Sequence, residues 1–551
     1  MTNSRRKVVL MGWDGATFDV LRPLVEAGVV PTISRMLGEG ASGVLKSTRP
    51  PVTCPAWPTM YTGVNPGKHG VFSFSYRDRS SGRMRTASGA DVLAPKLWNI
   101  LGEAGLKSVI LNVPITYPAR PIHGAMLTGF VSPDDSAKVF HPETLNESVR
   151  SRFGALRLNW DVLSHRPADP SAREAHIRRI NEYMELRCRQ FEFLIDEVDA
   201  DFYFFVHEYT DRVQHLFYHL LDPTFEASRR PENRRSIELL REGFMKLDAS
   251  LTRIMRRIGG EADFILVSDH GFGGVRRWVY LNNLLERHGL LRSRSLRTLA
   301  DLATRKLNCS PSLRMRLGLE QREAWHRQDP RSNPLVNYAR SAAFAGPQLE
   351  HAVYVNVRGR CPDGVIEPGA DYDRMRRRVI EVLRAAADPD TGGPVFEGAW
   401  TREELYDGPS AGDAPDVIYE LAPGYMASNV TLPSWLMGER FLRPLSPGWD
   451  ISGYHRPDGV WIGAGPSFQP GGASEASMTD IAPTVLYLLG QPIPAYMDGA
   501  LMTGGLRSAR LSEEPPRTCE REMALCASAS AAYTPEEQAE VTRRLEELGY
   551  L

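Results

Sequence analysis

Residues 7–15 read KVVLMGWDG, a short apolar run that ends in an acidic residue and a glycine. We predict a buried strand over residues 7–12, because a short unbroken apolar run is typical of the interior of a parallel sheet. A pattern with apolar residues at helical spacing follows over residues 16–38 and predicts a helix. Whether this strand–helix unit recurs along the chain decides the fold class.

The unit does recur. Later strand candidates are SVILNVP from residue 108, DFYFFV over 201–206 and DFILVSDHG over 263–271. Helical patterns precede them at residues 96–106, 172–197 and 236–258. This alternation predicts an α/β fold with a doubly wound, mostly parallel sheet flanked by helices. Such sheets bind ligands at the carboxyl ends of their strands, which is where candidate site residues should lie.

The alternation is interrupted once, which predicts an insertion. We assign residues 1–283 and 401–504 to two parts of one core, 284–400 to an inserted helical and α+β cap region, and 505–551 to a linker and a C-terminal helix. Strand-like segments within 340–423 indicate the α+β part. Residues 284–335 are rich in arginine, which fits either a solvated helical face or a surface that grips an anionic substrate.

Composition excludes several classes of protein. The 551 residues are 42% hydrophobic and 24% charged with a net charge of −1, so no nucleic-acid polymer or anionic membrane is indicated as a partner. No apolar run approaches the length of a membrane span, and the N-terminus has no signal-peptide core. The six cysteines are scattered without a CxxC pair, which argues against a disulfide framework. We therefore expect a cytoplasmic protein, and its oligomeric state is left open.

Acidic residues and histidines cluster at the predicted strand ends. They are Asp14, Asp211, His215, Asp269, His270 and His455. Each taken singly fits a cap, a turn or a buried histidine, but their shared position favours a metal site. Oxygen and nitrogen ligands without thiolate suit Zn²⁺, Mn²⁺ or Fe²⁺. Three Asp and three His exceed the needs of one tetrahedral ion and fit two ions, each with an open position.

The stretch PPVTCPAWP over residues 50–58 raises a separate question about Thr53. Residues 56–62 can begin a helix, so Thr53 is either a helix cap or a nucleophile at a helix N-terminus. Metal coordination can lower the pKa of its hydroxyl, and a helix N-terminus favours an anion. The second interpretation describes a phosphoryl-transfer site.

Four separated motifs carry a resemblance. They are TCPAWPTMYTGVNPGKHG at 53–70, TDRVQH at 210–215, SDHGF at 268–272 and GYHRPDG at 453–459. In this order they resemble the alkaline phosphatase superfamily, and within it the type I phosphodiesterase/nucleotide pyrophosphatase-like branch. The runs VYVNVRGRCPDGVIEPG and LEELGYL also resemble a bacterial and archaeal subgroup described as phosphohydrolases or phosphomutases.

The resemblance implies roles for the site residues. Asp14, Thr53, Asp269 and His270 would hold one metal ion, and Asp211, His215 and His455 would hold a second. Thr53 would attack phosphorus and form a phosphothreonine, which water at the second ion would then hydrolyse. The cofactors expected are two divalent ions, zinc before manganese or iron, and the substrate is a small-molecule phosphoester.

The resemblance has departures beside the nucleophile. Phe74 stands where nucleotide pyrophosphatases carry an asparagine that contacts a phosphoryl oxygen, and Ser73 or an arginine of the insert could substitute for it. Cys54 lies one residue from the place of the sulfatase cysteine, so a sulfatase is disfavoured and Cys54 fits a small packing residue. Candidate substrate contacts are Cys54, Trp57, Ser73 and Phe74, with core packing as the alternative for the aromatic residues.

The function predicted from these residues is a two-metal phosphodiesterase that cleaves a phosphodiester or pyrophosphate-type bond. Phosphomutase, phosphotransferase or phosphomonoesterase activity at the same site is the alternative. A sulfatase or a non-catalytic metal-binding scaffold fits less well.

Overall fold

The computed structural model describes residues 6–77, 84–134, 136–154, 167, 169–294, 333, 335–431, 440–445, 451–525 and 532–547. Most of the arginine-rich segment predicted at 284–335 lies outside these residues, as do Cys309 and Cys526. Its two predicted roles therefore stay predictions.

The strands of the described residues are labelled in chain order. They are β1 (Val8–Trp13), β2 (Ala41–Lys46), β3 (Ser75–Arg77), β4 (Met84–Thr86), β5 (Ser108–Val113), β6 (Gly124–Thr128), β7 (Phe140–His141), β8 (Phe202–His207), β9 (Asp263–Val267), β10 (Gly271–Tyr280), β11 (Ala343–Ala345), β12 (Ala352–Val355), β13 (Phe396–Thr401), β14 (Val417–Leu421), β15 (Gly424–Ser428), β16 (Leu442–Pro444), β17 (Gly453–Arg456), β18 (Asp458–Ala464), β19 (Ala476–Ser477), β20 (Ile493–Pro494) and β21 (Thr518–Cys519).

The α-helices of the same residues are labelled likewise. They are α1 (Phe18–Glu26), α2 (Pro31–Glu39), α3 (Thr53–Thr62), α4 (Pro66–His69), α5 (Leu97–Glu103), α6 (Thr144–Phe153), α7 (Pro170–Glu197), α8 (Tyr209–Leu221), α9 (Arg234–Ile258), α10 (Leu281–Arg287), α11 (Ala370–Ala385), α12 (Arg402–Leu405), α13 (Ile481–Leu488), α14 (Ser508–Glu513) and α15 (Pro535–Glu547).

The central sheet has the strand order β19-β2-β18-β9-β1-β8-β5-β6-β7. Strands β9, β1, β8, β5 and β6 are parallel, whereas β18 is antiparallel to both β9 and β2. The predicted α/β fold with a mostly parallel sheet is confirmed. Every residue of β1 is buried because helices cover both faces of the sheet, as a parallel sheet requires.

Two apolar layers enclose this sheet. One is formed with α1, α2, α7, α8 and α9, and the other with α3, α5, α13 and α15. The central strands contribute alternate residues to each layer, so Val9 and Met11 face the first and Val8 and Leu10 face the second. The C-terminal helix predicted at 534–549 is present as α15. Its N-terminus is capped reciprocally by Thr534 and Glu537.

Two expectations about local structure were wrong. The single helix expected at 16–38 is divided into α1 and α2, because Gly28 takes a left-handed φ of 69° and Pro31 begins a second helix. The segment expected to be a linker from residue 505 carries α14 and β21 in its described part. Strand β21 pairs with β20, and the Tyr487 hydroxyl donates to the Glu514 carbonyl at 2.9 Å.

A smaller antiparallel sheet has the order β11-β12-β14-β13, with α11 packed against it around a separate apolar cluster. This sheet extends beyond residue 400, because β14 pairs with both β12 and β13. The division of the chain into domains stays a prediction. A further strand, β10, follows β9 closely and pairs with β17, so it links two strand ends that carry candidate site residues.

Helices α7 and α9 approach each other closely at Gly243. A Cβ atom there would lie 1.8 Å from the Tyr209 hydroxyl oxygen and 2.4 Å from Asn181 Oδ1. Those two atoms are themselves joined by a 3.0 Å hydrogen bond from Tyr209 to Asn181. The glycine is therefore required because side chains of both α7 and α8 approach α9 at this point.

We expect Gly243→Ala to lower the free energy of unfolding by about 1–3 kcal/mol, because the methyl group must displace a buried hydrogen-bonded pair. Urea or thermal unfolding measures this change. Gly38→Ala is the matched control, since Gly38 lies in α2 with nothing near a Cβ atom. That control should be stabilised by up to about 1 kcal/mol through lost flexibility of the unfolded chain. Equal stability of the two variants would contradict the close crossing.

Candidate functional site

The six acidic residues and histidines predicted as ligands come together in two groups at the carboxyl edge of the sheet. Asp14 follows β1, Asp269 and His270 follow β9, and these three form the first group. The second group consists of Asp211, His215 and His455. Within each group the possible ligand atoms lie within 4.8 Å of one another, so both are candidate metal-binding groups.

The first group is shaped by the turn after β1. Gly15 takes a left-handed φ of 66°, and its amide donates to Asp269 Oδ1 at 3.1 Å. The indole Nε1 of Trp57 donates to Asp14 Oδ2 at 3.4 Å. His270 Nε2 lies 3.3 Å from Asp269 Oδ2 and 3.6 Å from Asp14 Oδ1. Each carboxylate thus has one oxygen anchored and the other facing His270.

The second group is shaped by the first turn of α8. Asp211 and His215 are four residues apart and share one face of the helix, with 3.2 Å between Asp211 Oδ1 and His215 Nε2. His455 lies in β17, and its Nε2 is 3.3 Å from the same oxygen. The two Nε2 atoms are 3.0 Å apart. Three ligand atoms from two elements therefore converge on one point.

All three histidines use their Nδ1 atoms in the same way. His215 Nδ1 lies 3.2 Å from the Gly453 carbonyl oxygen, His270 Nδ1 3.1 Å from that of Gly271, and His455 Nδ1 3.2 Å from that of Pro51. A carbonyl oxygen can only accept, so each Nδ1 carries the proton and donates it. Each Nε2 is then left with a lone pair that faces its group, which is how histidine ligands are commonly oriented.

The pKa values of the histidines and carboxylates in the two groups are consistent with bound cations. Burial lowers the pKa of His270 to about 4 and of His455 to about 3, so both rings are neutral at pH 7. Burial raises the pKa of Asp269 to about 7 and, with the negative charge of Asp269 added, raises that of Asp14 well above its usual value. Burial opposes ionisation of Asp211 too, yet neighbouring His215, His455 and Arg212 lower its pKa.

Two buried carboxylate oxygens support the same conclusion. Asp14 Oδ1 and Asp269 Oδ2 accept no hydrogen bond from any described residue. Buried polar atoms are normally satisfied, so orphaned carboxylate oxygens beside a histidine lone pair fit a divalent cation. The donor set of the first group, two carboxylates and one imidazole, matches the ligand chemistry of zinc and manganese.

Thr53 is the first residue of α3, and Val52 precedes the helix as its N-cap. The Thr53 side chain makes no capping hydrogen bond, so the capping interpretation is wrong. Its Oγ1 instead lies 3.3 Å from His270 Nε2, and the residue is buried. The hydroxyl therefore faces the first metal-binding group at the positive end of a helix.

The predicted substrate contacts lie beside Thr53 but are mostly enclosed. Cys54, Trp57 and Phe74 are buried in the apolar layer that contains α3, which favours the packing alternative. Ser73 is half-buried and hydrogen-bonds Glu350 of the small α+β region. All four remain predictions as substrate contacts.

The structure adds neighbours that sequence reasoning missed. Glu350 and His351 lie between β11 and β12, and His351 Nε2 is 3.0 Å from the hydroxyl of Tyr454, the residue before His455. Tyr354 donates to Glu350 at 2.7 Å. The small α+β region thus contacts β17, which carries the candidate ligand His455, on one side and the Ser73 loop on the other. No motif in this part of the sequence predicts either contact.

Comparison with known proteins identifies the family. The model of the type I phosphodiesterase / nucleotide pyrophosphatase family matches residues 8–434. The chain belongs to this family. Membership makes it a phosphoric ester hydrolase of the alkaline phosphatase superfamily. The matched residues include every predicted site residue except His455, and no curated protein matches the chain.

Two solved structures are similar to this chain to different degrees. Phosphonoacetate hydrolase from Sinorhizobium meliloti 1021, in complex with phosphonoacetate, aligns with a TM-score of 0.53 at 14% identity, covering 88% of this chain and 95% of its own. Human ectonucleotide pyrophosphatase / phosphodiesterase 5 aligns with a TM-score of 0.46 at 13% identity, covering 91% and 100% respectively. In the part of this chain that the structure describes, no helix is long and apolar enough to cross a membrane.

The thiol beside the nucleophile candidate should be chemically inert. Burial raises the pKa of Cys54 well above its usual value, and burial likewise raises that of Cys188. We expect iodoacetamide to leave both unmodified in the native protein and to alkylate both in urea, whereas partly exposed Cys519 reacts in the native state. Peptide mass spectrometry measures each site. Native alkylation of Cys54 would contradict its packing role.

Proposed function

We propose that this enzyme is a two-metal phosphodiesterase that uses Thr53 as its nucleophile. The observation that carries the proposal is the 3.3 Å distance between Thr53 Oγ1 and His270 Nε2. His270 belongs to a group that also contains the carboxylates of Asp14 and Asp269. The second group is adjacent, because the His270 and His455 rings stack with centroids 3.6 Å apart. A nucleophile and two neighbouring cation sites are the parts that phosphoryl transfer needs.

The residues divide between two ions. Asp14, Asp269, His270 and Thr53 would hold one, and Asp211, His215 and His455 would hold the other, with zinc favoured by the nitrogen and carboxylate donors. When bound, such ions lower the pKa of coordinated hydroxyl groups and neutralise charge on phosphoryl oxygens. The backbone carbonyl oxygens that accept hydrogen bonds from the three Nδ1–H groups orient the Nε2 atoms towards the ion sites even in the absence of an ion.

The chain itself supplies the nucleophile and positions the reacting groups. Thr53 Oγ attacks phosphorus and displaces the leaving-group oxygen on the opposite side, which produces a phosphothreonine. Water then attacks the same phosphorus, so that Thr53 Oγ leaves and a phosphomonoester is released. The N-terminal turn of α3 directs backbone amides towards the negative charge that develops during both steps.

The preference for a phosphodiester substrate rests on the family. The alternative activities, which are those of a phosphomutase, phosphotransferase or phosphomonoesterase, would use the same site residues. In a phosphomutase or phosphotransferase, a bound alcohol would replace water in the second step. Product analysis with an added alcohol separates the two, because transfer produces a phosphorylated alcohol.

We also propose a cytoplasmic location. It rests on cysteine usage, since Cys54, Cys188, Cys361 and Cys519 are all free thiols.

The first test compares bis-p-nitrophenyl phosphate, p-nitrophenyl phosphate and p-nitrophenyl sulfate as substrates, with Zn²⁺ or Mn²⁺ present. We expect the diester to be cleaved fastest, the sulfate not at all, and Thr53→Ala to lose at least about a thousandfold in kcat because the nucleophile is removed. Thr53→Ser keeps a hydroxyl and should retain measurable activity. Full diesterase activity in Thr53→Ala would contradict the proposed nucleophile.

A second test concerns the metal groups. Asp211→Asn and His455→Gln should each remove about one of two bound zinc ions per chain, measured by elemental analysis, and abolish turnover. The melting temperature should change little, because the sheet has its own apolar core. His219→Gln is the matched control, since His219 lies one turn beyond His215 on α8 but belongs to neither group. Collapse of the fold in the two ligand variants would instead make the ions structural.

A further inference from the structure

Thr210 and Gln214 lie on α8 beside the second metal-binding group, because each directly precedes one of its ligand candidates. Asp211 and His215 follow them in sequence, so the helix carries two pairs of residues with the same spacing. Both Thr210 and Gln214 are buried, with 1% of each residue exposed. Neither belongs to a metal-binding group, so their place beside the ligands needs another explanation.

The side chains of Thr210 and Gln214 donate hydrogen bonds to the turn that follows β1. The Thr210 hydroxyl donates to the carbonyl oxygen of Asp14. The amide nitrogen of Gln214 donates to the carbonyl oxygen of Gly15 at 2.7 Å and to that of Thr210 at 2.9 Å, so each of its two N–H groups has an acceptor. The helix that carries ligands of the second group is therefore hydrogen-bonded to the turn that carries Asp14 of the first.

The same turn is fixed to the other strand end of the first group. The Gly15 amide donates to Asp269 Oδ1 at 3.1 Å, and the Ser268 hydroxyl donates to the Ala16 carbonyl oxygen at 2.9 Å. Three successive carbonyl oxygens, those of residues 14, 15 and 16, thus each accept a hydrogen bond from a buried side chain. Two of these donors lie on α8 and the third directly precedes Asp269. The turn therefore joins the two groups through hydrogen bonds of the chain itself.

Stability of the fold does not by itself explain Gln214. Its Oε1 atom is buried and accepts no hydrogen bond from any described residue. A buried amide oxygen without a partner costs free energy, and an apolar side chain of similar shape would avoid that cost while giving up the two N–H donors. Gln214 is therefore better explained by the position that its N–H group imposes on the Gly15 carbonyl.

We propose that Thr210 and Gln214 are positioning residues that set the distance between the two metal-binding groups. This inference rests on the proposed two-metal phosphoesterase function. Two ions that act on one phosphoryl group need a defined separation, since they stabilise the attacking and the leaving oxygen of the same displacement. Both side chains act through the backbone of the turn, at Asp14 and Gly15, and so affect the reaction only by placing the ligands.

The test uses the full chain loaded with Mn²⁺ and the variants Thr210→Val, Gln214→Met and both together, which nearly keep side-chain size but remove the donors. Two Mn²⁺ ions held close together give an exchange-coupled electron paramagnetic resonance spectrum, and the coupling depends steeply on their separation. We expect the double variant to bind as many ions as the wild type, measured by elemental analysis, with a changed coupling. Its kcat for bis-p-nitrophenyl phosphate should fall by about a hundredfold, an effect expected of small displacements of reacting groups.

Two controls accompany these variants. Thr210→Ser keeps the hydroxyl donor and should keep the wild-type spectrum. Gln538→Met is the matched control for the loss of a buried amide, since Gln538 is buried in α15 and its amide nitrogen donates to Thr542 at 3.1 Å and to Thr86. It should change neither the spectrum nor kcat.

The outcomes separate the inference from the proposed function. An unchanged coupling in the double variant would overturn the inference. Loss of an ion would do the same, because Thr210 and Gln214 would then be needed to form a group rather than to set the distance between the groups. A changed coupling in a protein whose wild type hydrolyses no ester would uphold the inference and overturn the proposed hydrolysis, whereas a wild type that bound fewer than two Mn²⁺ ions would overturn both. If the double variant failed to fold, the two single variants would decide the matter by the same spectrum.

Discussion

The backbone carbonyl groups of Pro51, Gly271 and Gly453 each accept a hydrogen bond from the Nδ1 atom of a histidine. This choice of tautomer leaves three Nε2 lone pairs directed at carboxylates, which would be an unfavourable arrangement without a cation between them. The arrangement of the other site residues depends on this tautomer. Pro51 lies in the loop that leads into α3 and Thr53, and Gly453 begins the strand that carries His455, so the segments that carry the candidate ligands also hold one another in place.

Much of the architecture follows from patterns that any reader of the sequence can see. An unbroken apolar run such as Val8–Trp13 has few alternatives to a buried parallel strand, and parallel strands must place their ends at one edge. Residues Asp14, Asp269 and Asp211 could therefore be expected to meet before their distances were known. Their division into two groups followed from the resemblance, and the structure brings together the same two sets.

Other features depend on contacts that no local pattern encodes. The contact between His351 and Tyr454 joins the small α+β region to β17, and such tertiary contacts leave no periodic signal. The left-handed conformation of Asn112, which places its amide beside Glu208, is invisible in a strand-like run such as SVILNVP. The single helix expected at 16–38 was wrong for a different reason, because Gly28 and Pro31 are local signals that outweigh the continuous apolar pattern.

The position of β1 has a consequence for how the enzyme is made. This strand lies at the middle of the sheet, yet its two partners begin at Phe202 and Asp263, far later in the chain. During synthesis β1 leaves the ribosome with both edges unpaired, and an unpaired apolar strand readily associates with other chains. By contrast, β5 and β6 are close in sequence and can pair early. The segment that contains β1 therefore cannot complete its strand pairing until β8 and β9 have been translated, and the sheet edge that carries the candidate metal ligands can assemble only after that.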